Sequence, residues 1–456
     1  MPTPAQDLHE ARSSLSLEPL PDSAPEYVDL SGARGSSCLA RLALHLRESA
    51  ASNEPRCHVA FVGHRGSGKS TELIRMEKDL SDVFFPIHLV IDATLQRDAD
   101  YPDLFLWLVE SVAQKLHTAS VPFEDKHTEA VANWFTSVTK FKVSSTSLET
   151  SVESEASASV GASWFGTGFN LLAKIQSAFK GSKETRDEMR REIKKRADEL
   201  ITAVNTFLGA AASALKADGK PARLLIVQDN LDRLSRDAAV LLFKESGELI
   251  KQLNATSVWT PPVGSQLAPF NISQIFPTFP MPMISVRKKD GSPNRTAIKE
   301  LTALVGKRLE IVLTFALRSL VRDLILFSGG SVRDLLRLIE TARLNALVEG
   351  HTVIERSDVK EAVKSFALSL QTALTPGNIY FPILAEISTH KKFEADLEHG
   401  YSSEAVNTRR EFFHSLIAEG AVLAYNGEDN WYDVHPTLHQ LGEFTAALAA
   451  RAQPKA

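Results

Sequence analysis

Cysteine is almost missing from this chain: two residues in 456, Cys38 and Cys57. Two thiols are too few for a disulfide framework and fit a reducing, cytoplasmic compartment. Long apolar runs are missing too. No stretch approaches the 18 residues that span a bilayer, and the opening MPTPAQDLHEARSS has no apolar signal-peptide core. A soluble protein with no membrane partner is expected. Nor is there an excess of positive charge. The 51 Lys and Arg stand against 56 Asp and Glu, a net −5, so there is no global pull toward nucleic acid and only a local basic patch could reach DNA. At 456 residues the chain is long enough for two or three domains.

What is present is sharpest at FVGHRGSGKST, Phe61 to Thr71. Gly63-His64-Arg65-Gly66-Ser67-Gly68-Lys69-Ser70 satisfies GxxxxGK[ST] without a mismatch. Glycines at this spacing let successive backbone N–H groups turn inward around phosphate oxygens, and the helix that follows aims its positive end at the same charge. Lys69 is placed for the β- and γ-phosphates, Ser70 for Mg²⁺, and Thr71 follows directly. The context agrees: HVAFV (His58 to Val62) reads as a buried strand, and Ser70 to Leu80 as a helix with Leu73, Ile74, Met76 and Leu80 apolar. His58 and His64 have no Cys or carboxylate at metal-ligand spacing, which argues against a zinc site.

A second motif lies in ARLLIVQDNLDRL, Ala222 to Leu234. Its apolar run ends in Asp229, and a carboxylate at the end of a strand beside the P-loop can hold Mg²⁺ through its water shell. The glutamate that would polarise an attacking water is absent, and Asn230 stands in its place. Asn230 is a candidate for orienting water or sensing the γ-phosphate, and Asp232 is the nearest alternative carboxylate. Thr260, closing the next strand, is either a γ-phosphate or water contact or a plain strand-terminal threonine. FPTFPMPMISV (Phe276 to Val286) should hold the last strand, and its prolines predict an irregular start or an edge position. Alternating strands and helices predict a parallel α/β sheet.

Four segments are expected. Residues 1–35, rich in Pro and Ser, read as an extended leader; 36–300 form the P-loop core; 301–372 are helical; and 373–456 form a last module. The core carries an insertion over about 136–205. Its Ser- and Thr-rich part, 136–168, reads either as a hairpin or partner-binding loop or as a flexible linker, and the charged helical part beyond it as a solvated face. In the last module a helix leads into AVLAY, an Asn-Gly turn and WYDVHP, the helix–strand–turn–strand pattern of a winged helix. Arg409, Arg410, Lys391 and Lys392 lie nearby, but the turn, NGED, is acidic and would repel phosphate.

P-loop, acidic strand end and polar strand end in this order resemble the AAA+ and signal-transducing (STAND-type) ATPases. FSGGSVRDLLRLIETAR (Phe327 to Arg343) resembles the sensor-2 signature of origin-recognition and Cdc6-like ATPases, with Gly330-Ser331-Val332-Arg333 opening a lid helix and Arg333 as γ-phosphate sensor. QDNLDRL is similar to the acidic strand of KAP-type bacterial ATPases, with Asn230 in place of their second aspartate. One departure is plain: no arginine occurs from Leu253 to Val286, where a ring-forming ATPase carries its finger. The resemblance implies an α/β P-loop NTPase core, an α-helical lid and a winged-helix-like domain binding ATP and Mg²⁺. It implies a slowly hydrolysing switch that self-associates or controls a separate effector protein, as in bacterial antiphage defence or signalling. The alternatives are a loader assembling on duplex DNA and a nucleotide-stabilised scaffold without turnover.

Overall fold

Five apolar runs linked by helical crossovers pair as one parallel sheet, the arrangement such crossovers favour. The computed structural model describes residues 4–35, 37–91, 98–139, 166–267, 270–374, 377–393, 403–426 and 430–452. The strands are β1 (Cys57–Gly63), β2 (Phe84–Val90), β3 (Arg223–Asp229), β4 (Thr256–Trp259) and β5 (Thr278–Met281), ordered β2-β3-β4-β1-β5. β1 is buried along its whole length between β4 and β5, as the apolar run Val59 to Val62 favours. β5 is an edge, and Pro280, with no N–H to give, sits there as its prolines predicted.

On one face α1 (Cys38–Ala51) and α2 (Lys69–Asp79) bury Leu42, Leu46, Leu73 and Met76 against Val59, Phe61, Leu225 and Val258. The other face is covered by α3 (Tyr101–Thr118), α4 (Lys126–Thr139), α5 (Thr167–Lys180), α6 (Lys183–Lys194) and α7 (Ala197–Ala217). α3 starts where Asp100 and Asp103 form a reciprocal capping box with Pro102 in the first turn. Among the described residues α7 alone is long and apolar enough to cross a membrane, but Leu200, Val204, Phe207, Leu208, Ala211 and Leu215 bury its apolar stripe in the sheet's core. The charged helix α6 is less solvated than its composition predicts. Arg186 and Arg190 are buried and reach Asp98 and the fully buried Asp103. Charge patterning cannot reveal this, because both carboxylates lie some 90 residues upstream. Residues 140–165, most of the stretch read as hairpin or linker, lie outside the described residues.

The lid comprises α8 (Arg295–Gly306), α9 (Arg318–Phe327), α10 (Val332–Val348) and α11 (Arg356–Ala373). Residues 4–35 contain only two four-residue helices, yet they are not loose. Ala5, Leu8, Ala11, Leu15, Leu30 and Ala33 share one core with Leu301, Leu324, Leu338 and Ile339 of the lid. The C-terminal module runs α12 (Gly377–His390), α13 (Ser403–Ala418), the antiparallel pair β6 (Val422–Asn426) and β7 (Asn430–Val434), and α14 (Gly442–Ala452), a winged-helix-like arrangement. Of the acidic wing turn, residues 427–429 lie outside the described residues. A P-loop NTPase core, a helical lid and a winged-helix-like domain are thus all present.

Candidate functional site

β1 ends at Gly63 and α2 begins at Lys69, so the glycine loop joins the buried end of a strand near the middle of the sheet to a helix N-terminus. Gly66 and Gly68 have φ of +79° and +97°, the left-handed region that glycine enters without steric cost. At Gly66 a side chain is excluded twice, because a Cβ would lie 2.8 Å from Arg333 Cβ and from Ser331 Oγ. The lid therefore rests directly on the P-loop, and the Arg333 backbone N–H donates to Gly66 O at 3.1 Å. Ser331 caps α10 by accepting from Asp334 N, which is why Arg333 stands in the first turn of a helix aimed at the loop.

Lys69 is buried and donates to Gly63 O and His64 O, both at 2.8 Å, and to Asp232 Oδ2 at 2.7 Å. Asp232 reaches it because Asn230 adopts φ +63° and the next three residues form a 3₁₀ turn that folds back over the loop. The carboxylate proposed as a water-polarising group is thus brought to the site as the partner of the P-loop lysine. Asn230 itself donates its backbone N–H to Asp229 Oδ1 at 2.7 Å. Thr260 is fully buried, donating to Gln228 O at 3.0 Å and accepting from Leu231 N at 3.3 Å, so it ties the ends of β3 and β4 together.

Asp229 is 2 % exposed. Burial raises its pKa, but bonds from His88, Ser70 and the Asn230 N–H outweigh this and hold the carboxyl below its ordinary value. An ionised carboxylate paired with the P-loop hydroxyl of Ser70 is the oxygen donor set that Mg²⁺ requires, and these two residues fit that ion. Sequence reasoning missed His88. Its Nε2 lies 3.7 Å from Asp229 and its Nδ1 2.5 Å from Glu77; burial disfavours the charged ring, yet the two carboxylates raise its pKa to about 9.

Sequence reasoning also missed the leader's part. A cleft with about 860 Å³ of free space, its mouth included, opens between P-loop, lid and leader. Leu17, Leu20 and Val28 of the leader face Leu304 and Leu336 of the lid to make its apolar wall, while Gly66, Lys69, Ser70, Asp232 and Arg333 line the polar end. The leader is pinned there. Leu20 N donates to Thr71 Oγ1 at 3.1 Å, Arg34 donates to Ser67 O at 2.7 Å and pairs with Glu72 at 3.3 Å, and Tyr27 donates to Glu72 at 3.1 Å. Thr71 and the Ser67 carbonyl thus hold the wall of the cleft, and the Ser67 hydroxyl donates to His64 O.

The winged module touches the loop as well. His64 is 3 % exposed, and its Nε2 accepts the Ala424 N–H of β6 at 2.7 Å, while Tyr425 donates to Gly329 O in the lid turn at 2.8 Å. Burial and, secondarily, the charge of Lys69 push the His64 pKa down to about 3, so the ring is neutral and free to accept. Met283, Leu423, Tyr425 and Trp431 seal this contact as a small apolar cluster. Gly330 completes it. With φ +90° it passes so close to Ile284 that a Cβ would overlap the Ile284 carbonyl. Arg65 is exposed beside a second, larger cleft that opens between the core and α13.

No protein-family model and no curated protein matches this chain. Solved structures similar to it include a Walker-type ATPase of Pyrococcus abyssi (11 % identity, 96 % of this chain and 99 % of that one covered, TM-score 0.41). Cdc6p of Pyrobaculum aerophilum is another (13 %, 97 % and 98 %, 0.37). So is the ORC2 protein of Aeropyrum pernix in its ADPNP–ADP complexes (12 %, 96 % and 98 %, 0.43). At such identities and superpositions no residue role is carried across.

Proposed function

We propose that this chain is an ATP-binding, slowly hydrolysing molecular switch whose nucleotide state sets the position of the winged module, and through it self-association or the engagement of a protein partner. The observation that carries this reading is the convergence on one loop. The lid bonds Gly66 O through Arg333 N–H, and the winged module bonds His64 through Ala424 N–H, so both movable parts touch the loop that cradles phosphate. Any rearrangement of that loop on binding acts on both contacts at once.

In this reading the backbone N–H groups of Gly66 to Lys69 and the Lys69 ammonium bind the phosphates, and Ser70 and Asp229 hold Mg²⁺, which neutralises phosphate charge when bound. Leu17, Leu20, Val28, Leu304 and Leu336 supply the apolar wall against which an adenine base fits. With Asp232 bonded to Lys69 and Asn230 where a glutamate is customary, neither of these two positions offers a free carboxylate to activate water, which supports slow turnover. DNA loading is the less supported function. Two of the basic residues around the wing are already paired, Arg409 with Glu386 at 2.9 Å and Lys391 with Asp433 at 2.6 Å. Antiphage defence or signalling is the setting that the resemblance to the STAND-type ATPases implies.

The test measures ATP turnover and molecular mass together for wild type and Lys69→Ala, with and without duplex DNA. Turnover and assembly that require Lys69 and ignore DNA are expected. DNA-stimulated turnover would replace the switch with the loader, and tight binding with no turnover would leave a nucleotide-stabilised scaffold.

A further inference from the structure

The leader is fastened to two bodies at once. On the lid side Ala5 and Leu309 form a parallel bridge, with the Ala5 N–H donating to Arg308 O at 2.9 Å. Arg343 donates to Leu8 O at 2.9 Å, and the Ala33 N–H donates to Glu300 Oε2 at 2.7 Å. On the P-loop side the fastenings fall along α2, where Thr71, Glu72 and Arg75 lie within about one turn of each other and take Leu20, Tyr27 and Asp22. Arg75 makes two of these contacts. Its Nη1 donates to Asp22 O at 2.8 Å, and its guanidinium lies 3.8 Å from the centre of the Tyr27 ring. The two sets of fastenings meet within one dipeptide: Glu26 O accepts from Arg308 of the lid at 3.1 Å, and the next side chain, Tyr27, is held by α2. Pro19, Pro21 and Pro25 fix φ through the same stretch and leave it little slack.

A nucleotide in this cleft lies between the P-loop and the lid, so exchange requires those two surfaces to part, and one strap grips both. We propose that the leader is a tether that limits lid opening, with Arg75 as its principal anchor on the P-loop helix, so that the strap sets the rate at which ADP is exchanged for ATP. This rests on the reading of the cleft as an ATP site and adds to it what controls exchange there. Arg75 does not itself line the cleft, so replacing it takes no group away from the nucleotide. The bonds of the tether join protein groups to protein groups and hold the free and the loaded cleft alike. Loosening them therefore multiplies the rates of entry and departure by one factor and leaves their ratio, the affinity, in place.

The experiment is stopped-flow fluorescence of the full chain with a fluorescent ADP and Mg²⁺, for wild type, Arg75→Ala and Arg75→Lys. Arg75→Ala should raise the association and dissociation rate constants alike, roughly 10- to 100-fold, and keep the dissociation constant within about threefold; this is the scale of one charge-assisted bond and one cation–π contact. Arg75→Lys keeps a cation and a donor at the position and should give a smaller rise with the same ratio, so it carries the test if the alanine variant does not fold. Hydrogen exchange separates release of the tether from general loosening. In Arg75→Ala the Leu20 amide, bonded to Thr71 Oγ1 at 3.1 Å, should lose protection, while the Ala33 amide, bonded to Glu300 of the lid, should keep it. Unchanged exchange rates would show that the lid opens with the strap in place, and a weaker affinity at an unchanged association rate would make the leader a wall of the cleft only; either result overturns the proposal. If wild type binds no ADP, the reading of the cleft fails first; intact binding with unchanged rates in the variants sinks the tether alone.

Discussion

Acidification should release the winged module from the P-loop, and the size of the effect follows from two histidines. His64 accepts the Ala424 N–H, and its pKa is pushed down to about 3 by burial and then by Lys69. His435, at the foot of β7, is buried, stacks on Phe366 of the lid with ring centroids 5.0 Å apart and lies 3.8 Å from Asp334; burial pushes it down to about 4 against the pull of that carboxylate. Both rings are neutral when docked and take a proton when released. The docked state is therefore fully favoured above the ordinary histidine value of 6.5 and loses stability as pH falls through that value toward 4. At pH 5 the deficit is about 1.5 pH units, or about 2 kcal/mol per histidine and about 4 kcal/mol together. His88 has the opposite sign: its pKa is raised to about 9, so its stabilisation is complete below 6.5 and adds no slope in this window. Hydrogen exchange at the Ala424 amide, corrected for its intrinsic pH dependence, is the local readout. Protection should fall roughly 30-fold per histidine between pH 7 and 5, and His435→Gln should halve the slope. Equal protection at pH 7 and 5 would refute the reasoning, since it would mean that neither ring differs between docked and released states.

Three further outcomes are expected. Gly330→Ala forces a side chain into a φ of +90° and onto the Ile284 carbonyl, so the lid turn should lose about 2–4 kcal/mol, seen as a lower Tm together with weaker nucleotide binding. Arg34→Ala leaves Glu72 buried without its ion-pair partner and frees the leader from the Ser67 carbonyl; a loss of about 3–5 kcal/mol in denaturant unfolding is expected, and a loss below about 1 kcal/mol would mean that the leader is not held by this pair. Asp229→Asn should abolish Mg²⁺-dependent turnover while ADP binding without Mg²⁺ persists, because the carboxylate meets the ion and not the phosphates; calorimetry with and without the metal separates the two.

The parts legible in the sequence are those whose cause is local. GHRGSGKS needs only its own glycines to form the loop, the run Leu224 to Val227 needs only its apolarity to be an inner strand, and the prolines of β5 mark it as an edge before any partner is known. What was hidden depends on residues far apart. Tyr27 and Arg34 meet Glu72, Arg343 donates to Leu8 O across 335 positions, and the hydrophobic residues that bind the leader to the lid are too thinly spread among prolines and serines to announce a packed segment. His88 looked like an ordinary strand residue because Glu77 and Asp229 join it only once β2 and β3 are side by side. Asp232 was legible as a site residue from its place after Asp229, but its bond to Lys69 depends on the left-handed turn at Asn230, which no pattern of residue types foretold.

The bond between His64 and Ala424 joins positions 360 residues apart, and this has a consequence for synthesis. At typical elongation rates of about 5–20 residues per second, the P-loop leaves the ribosome roughly 20–70 seconds before the strand that covers it exists. Throughout that interval His64 lacks the Ala424 N–H, while Arg333 of the lid, made earlier than Ala424, can already reach Gly66. Of the two contacts made on this loop, the lid's at Gly66 therefore becomes possible first and the winged module's at His64 last, so synthesis fixes the order in which the loop is covered.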